Sequence, residues 1–227
     1  MRGTFKLIRD NVVKLIYRTV FCTLAVVGFL ASLGLFEAHF KSTFYVYFTN
    51  LSNYICMFIG FAELKRTIKA ARENDESFTE VYPRMKFIGM IMIFITFVVF
   101  NFLLAKDRPL EKNMTVSSIM LHIVLPIMYI ADWVLFCEHK KVKKTTPLLS
   151  VVIPILYAVF VFVRAEIMGR QGELVYPYFF LDVNKLGWSG VAVWIAILIA
   201  AFIVIGYIFY FLDRIIEEKN TGGKERK

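Results

Sequence analysis

Histidine and cysteine are scarce in this chain, three of each among 227 residues, and proline is little commoner at six. Cys22, Cys56 and Cys137 fall within or at the edge of apolar stretches, with no spacing that gives a disulfide framework or a metal site. They read as core residues. His39, His122 and His139 lie at different expected depths, so no histidine-rich metal cluster is expected and no cofactor is called for. Acidic residues are also outnumbered, 18 against 27 basic ones. Twenty of those 27 lie in the N-terminal tail, the connections 63–86 and 138–144, and the C-terminal tail, leaving seven in the other connections. By the positive-inside rule this asymmetry predicts that both termini are cytoplasmic. The basic surplus therefore reports topology and contact with anionic lipid headgroups, and excludes a nucleic-acid partner from the expectations.

Hydrocarbon is what the chain has in abundance. Hydrophobic residues make up 58% of it, with 23 Phe and 11 Tyr, too much for an ordinary soluble domain of this length. Six stretches read as membrane spans: 20–36, 45–62, 87–104, 116–136, 148–163 and 191–212. Each is roughly long enough to cross about 30 Å of hydrocarbon at about 1.5 Å per residue. The expected fold class is all-α, a polytopic membrane protein whose residues 1–227 form one six-helix transmembrane domain. The first apolar run lacks a small-residue cleavage site and is followed by further spans, so it is expected to remain as a helix. Up to about residue 18, Phe5, Ile8, Val12 and Leu15 oppose Lys6, Arg9, Asp10 and Lys14, as in an interfacial helix or a solvated continuation of span one. The tail over about 217–227 is expected to be disordered.

Two spans carry polar groups that hydrocarbon does not favour. In span two, Thr49, Ser52, Asn53 and Cys56 fall at i, i+3, i+4 and i+7, one stripe that should face protein. The commonest use of such residues in membrane bundles is interhelical hydrogen bonding, and Asn101 in span three reads the same way. In span four, Ser118, His122, Pro126, Tyr129 and Trp133 lie near one face. An ionisable group in a span faces a bundle interior or a watery cavity, which makes His122 a functional candidate. Pro126 cannot donate to the His122 carbonyl, so a kink is expected at the imidazole. Asp132 lies about 15 Å along the axis from His122, too far to orient it. Beside Trp133 at the inner edge, Asp132 reads as structural, paired with Arg84 or Lys86, with Trp133 an interfacial anchor. Asn113-Met114-Thr115 matches a glycosylation sequon, a short motif of little weight.

Depth brings the candidates together. Thr49 lies about 6 Å below the start of span two and His122 about 9 Å below the start of span four, so the two can share a level. Arg164 at the outer end of span five and the aromatic segment 175–183 lie just above. The sequence thus permits a pocket in the outer half of the bilayer holding a hydroxyl, an imidazole, amides, a cation and an aromatic lid. Its chemistry is acyl transfer. A neutral imidazole can take the proton of a threonine hydroxyl, and Asn53, or Asn50, can donate to an oxyanion. Arg164 either holds a substrate carboxylate or snorkels to the interface.

The motifs Tyr47-Phe48-Thr49-x-x-Ser52-Asn53, Leu121-His122-x-x-Leu125-Pro126 with Asp132-Trp133, and Tyr176-Pro177-Tyr178-x-Phe180-Leu181-Asp182 occur here in order. With the six-span layout they resemble the androgen-induced-protein family of membrane threonine hydrolases, in particular its six-span bacterial relatives. The resemblance implies cleavage of esters of hydroxy fatty acids, with Thr49 as nucleophile and His122 as general base. It also implies Ser52, Tyr176, Tyr178 and Asp182 as substrate-binding or oxyanion candidates, and a bacterial cytoplasmic membrane as the location. Ser52-Asn53 and Asp132-Trp133 resemble the bacterial branch, so the ester chemistry carries over more safely than the particular lipid. The expected partners are a lipid substrate and the bilayer; oligomeric state stays open. The rivals are a transporter or lipid-binding sensor that uses the same pocket without covalent chemistry, and a structural partner in a membrane complex.

Overall fold

A computed structural model of the chain describes residues 10–37, 40–75, 81–170 and 174–221. The regular structure among them is helical. Six long helices follow one another: α1 (Asn11–Ser32), α2 (Phe48–Glu73), α3 (Pro83–Leu104), α4 (Val116–Phe136), α5 (Thr146–Ile167) and α6 (Val183–Ile216). All but α2 are apolar and long enough to cross a membrane, five helices in all. This is the architecture of an integral membrane protein. With 26 residues α2 has the length, but its polar stripe and its charged second half, from Glu63 onward, lower its hydropathy. It packs against both α1 and α3.

The start of α1 follows one of its two readings, a continuation of span one. The Asp10 carboxylate caps the helix by accepting from the Val12 and Val13 N–H groups at 2.7 and 3.2 Å. Residues 11–18 therefore continue span one instead of forming a separate interfacial helix; residues 1–9 lie outside the described ones. The faces are reversed. Lys14 and Arg18 are buried while Val12 and Ile16 are exposed, because in a bilayer a charge finds its partners inside the bundle and an apolar side chain finds lipid outside it. At the other end, the helix that contains α6 runs on to Thr221, so 217–221 are helical and not disordered. Residues 222–227 lie outside the described ones.

The main core joins α1 to α4 through Phe21, Cys22, Cys56, Phe87, Met90, Leu125 and Tyr129, with Phe202, Phe209 and Tyr210 entering from α6. The α1–α2 contact depends on Gly60, where a Cβ would lie 2.5 Å from the Phe21 ring. Small residues let membrane helices approach this closely. Gly60→Ala is expected to destabilise by about 1–3 kcal/mol through overpacking, checked by thermal unfolding in detergent; an unchanged midpoint would show that the approach is not tight. A second cluster forms at the opposite end from the termini, where Tyr157 and Val161 of α5 meet Tyr178, Phe180 and Leu181 of the connection into α6. The first turn of α5, Thr146–Leu149, packs on α6, with Gly206 against Pro147. Beyond that turn the two helices make few close approaches.

Candidate active site

A cavity lies between α3, α5, α6, the start of α2 and the aromatic connection. Its polar side chains are Thr49, Thr96, Tyr157 and Tyr178. Thr96 is engaged by Ser52 at 3.0 Å, and the Tyr157 hydroxyl donates to the Val46 carbonyl at 2.7 Å. The Thr49 hydroxyl and the Tyr178 phenol are left to meet a ligand. They face each other: the Thr49 N–H donates to the Tyr178 oxygen at 3.3 Å, and the two hydroxyls are 3.5 Å apart. Tyr178 is held flat against Phe180, ring centroids 5.1 Å apart and planes within 6°. Burial pushes the Tyr178 phenol up, so it stays protonated and able to donate at neutral pH.

The polar stripe of α2 faces protein, as expected: Thr49, Ser52, Asn53 and Cys56 are all buried. Its amides, however, do not point at a reacting centre. Asn53 Nδ2 donates to the carbonyls of Thr49 and Leu121 at 2.8 and 3.0 Å, and Asn50 Nδ2 to that of Phe44 at 2.5 Å. Ser52 Oγ donates to the Thr49 carbonyl at 3.0 Å. Asn53 and Ser52 tie α2 to α4 and α3, and Asn50 ties the start of α2 to the turn before it, so these amides are engaged by backbone carbonyls. The Asn53 to Leu121 bond ties α2 to α4 one residue from His122, so Thr49 and His122 do share a level.

His122 sits in a π-helical turn, Met120–Val124. Pro126 leaves its carbonyl without a helical donor, and Asn101 Nδ2 supplies one from α3 at 3.2 Å. Asn101 itself lies in a second π-helical turn, Phe100–Leu104, so two such turns are hydrogen-bonded to each other. Turns of this kind recur at functional sites. His122 Nδ1 is 3.0 Å from the Ser118 carbonyl. That contact assigns the ring proton to Nδ1 and leaves the Nε2 lone pair available to a proton. The imidazole lies flat on Phe100, centroids 3.4 Å apart and planes within 12°. Phe100 lines the cavity and His122 does not. No hydrogen bond joins Thr49 to His122 among the described residues; the imidazole stacks on Phe100, and Arg108 lies 5.3 Å from the centre of the same ring.

The remaining candidates are placed differently. Arg164 Nη1 donates to the Leu174 and Val175 carbonyls at 3.0 and 3.1 Å, which fastens the aromatic connection to the end of α5. Asp182 is the cap of α6, accepting from the Asn184 and Lys185 N–H groups at 3.0 and 3.2 Å. Tyr176 packs beside the Tyr157 cluster without reaching the cavity. Phe180 and Leu181, which belong to the third motif, line it; Thr96 and Phe100 line it too and have no distinguishing mark in the sequence. The Asn113 amide donates to the Ala105 carbonyl at 2.8 Å.

Toward the termini the bundle holds a second polar cluster. Asp132 accepts from Arg18 Nε at 2.9 Å and Lys86 Nζ at 2.6 Å, and Lys86 also meets Glu63 Oε2 at 2.7 Å. Arg18 Nη1 donates to Thr67 at 2.9 Å, and the Lys86 ammonium lies 3.9 Å above the Tyr129 ring. The pairing of Asp132 with Lys86 is as expected, whereas Arg84 is exposed. Trp133 is a correction: it is buried against Phe87, His139 and Phe209 and is no interfacial anchor. Glu63, Asp132 and the Cys137 thiol lie close enough together for a metal ion, their ligand atoms within 4.8 Å of one another. Lys86 already occupies the space between the two carboxylates, and with Arg18 it neutralises them, which disfavours a further cation.

Comparison of the chain with protein-family models, curated proteins and solved structures finds no match.

Proposed function

We propose that the chain is an intramembrane hydrolase of a lipid ester, a fatty acid ester of a hydroxy fatty acid or a similar lipid, with Thr49 as nucleophile and His122 as general base. One observation carries this reading: a threonine hydroxyl and a buried phenol are the two groups left to meet a ligand in an otherwise apolar, membrane-embedded cavity. In the proposed reaction Thr49 Oγ1 bonds to the ester carbonyl carbon and its proton passes to His122 Nε2. The carbonyl electron pair moves to oxygen, which accepts a hydrogen bond from the Tyr178 hydroxyl. Collapse breaks the ester C–O bond, and the leaving alkoxide takes the proton from His122. Water, deprotonated by the same imidazole, then releases the acid from Thr49. Bound substrate must first displace the Phe100 ring for the base to reach the nucleophile. We place α2 as a sixth span, with both termini cytoplasmic in a bacterial cytoplasmic membrane, on the asymmetry of basic residues and on the packing of α2 between two apolar helices.

The test is labelling of purified protein by an acyl-directed phosphonate, together with turnover of a panel of fatty-acid and hydroxy-fatty-acid esters. Covalent label and turnover are expected in wild type and absent in a folded Thr49→Ala protein. Equal labelling of the two would sink the assignment. A second reading, lipid transport or sensing without chemistry, is favoured by the stacking of His122 on Phe100 away from Thr49. Saturable lipid binding with no turnover of any ester would support it.

A further inference from the structure

The cavity is elongated. Ile95 of α3, Pro154 of α5 and Phe202 of α6 stand at one end and Leu104 and Ile195 at the other; Thr49 lies between, about one helical turn above Thr96, which meets Ser52 at 3.0 Å. The stretch from Ile195 to Phe202 on α6 covers about 10 Å, and that from Ile95 to Leu104 on α3 about 14 Å. The wall between the ends is hydrocarbon. Its far end is closed, since Phe202 and Ile95 are 3% and 4% exposed and the Phe202 ring meets Phe48 edge-on at 6.2 Å. Its flank is not closed: Ile155 is 40% exposed, Ala158, Ile195, Leu198 and Ile199 are partly so, and α5 and α6 diverge there. Both helices are among the membrane-crossing ones, so what this flank faces is the acyl region of the bilayer.

We propose that one linear acyl chain enters sideways between α5 and α6 and lies along the bundle axis with its tail against Phe202, so that Phe202 and Ile95 set the longest chain the site accepts. This rests on the cavity being the substrate site of the reaction above. Thr49 stands about 6 Å above the level of Ile95, since Thr96 meets Ser52 one turn below it, and an extended chain advances about 1.2 Å per backbone bond, so about five carbons fit below the reacting carbonyl. Ala158, a small residue on the open flank, leaves room for that passage.

Non-covalent binding of a graded series of saturated fatty acids, shorter and longer than the cavity, tests this in the purified full chain by native mass spectrometry. Wild-type affinity is expected to rise with length and then drop about tenfold over the next few carbons. Phe202→Ala should move that limit outward by about three to four carbons. Phe202→Leu, a milder change should the first variant fail to fold, should move it by about one or two. A limit that stays put in the folded variant overturns the proposal. Ala158→Phe is expected to slow loading from fatty-acid-doped vesicles about tenfold without moving the limit, and an unchanged rate removes the sideways route. Binding is read without hydrolysis. A length limit that shifts in a protein turning over no ester therefore overturns the hydrolase alone, and turnover with length-independent binding overturns the ruler alone.

Discussion

Asp132→Ala is expected to cost about 3–5 kcal/mol and to leave little folded protein in detergent at temperatures where wild type is intact. Asp132 accepts from Arg18 and Lys86 at once, and all three side chains are buried. Removing it leaves two cations in the bundle with Glu63 alone, 2.7 Å from Lys86 but 3.9 Å from Arg18. Neither cation can be hydrated where it sits. The size of the loss comes from the uncompensated charge and not from the strength of the pair, which is why an exposed pair makes the contrast. Lys69 and Glu73 are 3.8 Å apart on the exposed side of α2, and Glu73→Ala is expected to change stability by less than about 0.5 kcal/mol. Thermal unfolding followed by circular dichroism reads both. An Asp132→Ala midpoint as little shifted as that of Glu73→Ala would show that water reaches the cluster. The four charges come from α1, α2, α3 and α4, so the variant should loosen all four helices together, and ester binding should be lost with the fold.

Composition and period made the architecture legible. Apolar runs marked all six helices, and the i, i+3, i+4, i+7 stripe on α2 identified the face that is buried. Span four was read most fully: Pro126 pointed to a freed carbonyl at His122, and Asn101 was taken as interhelical glue, which are the two halves of one hydrogen bond. Pairing was harder to see. Lys14 reads as solvated because an amphipathic reading assumes water outside the helix, and in lipid the sign of that assumption inverts. Arg164 stands as a ligand for a carboxylate or a snorkelling cation from its charge and depth, and Asp182 as a candidate through the resemblance. The backbone carbonyls and N–H groups that engage them are not visible in a sequence. Phe100 was beyond reach, one phenylalanine among 23, and its position depends on a π-helical turn for which the residues carry no signature.

His122→Ala is expected to lower ester turnover by about 10²–10⁴-fold with KM little changed, the range for loss of a positioned general base. The imidazole is prepared for that role. Its Nδ1 faces the Ser118 carbonyl at 3.0 Å, which leaves Nε2 as the acceptor, and the Asn101 bond to its backbone fixes the turn that carries it. In the proposed reaction it must first be freed from the Phe100 ring stacked on it. Phe100→Ala should therefore act in the opposite sense on the same step, raising the rate of phosphonate labelling of Thr49 in the absence of lipid, while Phe100→Ala combined with His122→Ala should label no faster than His122→Ala alone. That non-additivity separates a gate from a packing defect, since a merely loosened helix would shift both backgrounds alike. Turnover by His122→Ala within a factor of about three of wild type would remove the imidazole from the reaction. The buried Tyr178 phenol, 3.5 Å from the Thr49 hydroxyl, would then be the one group left in contact with the nucleophile.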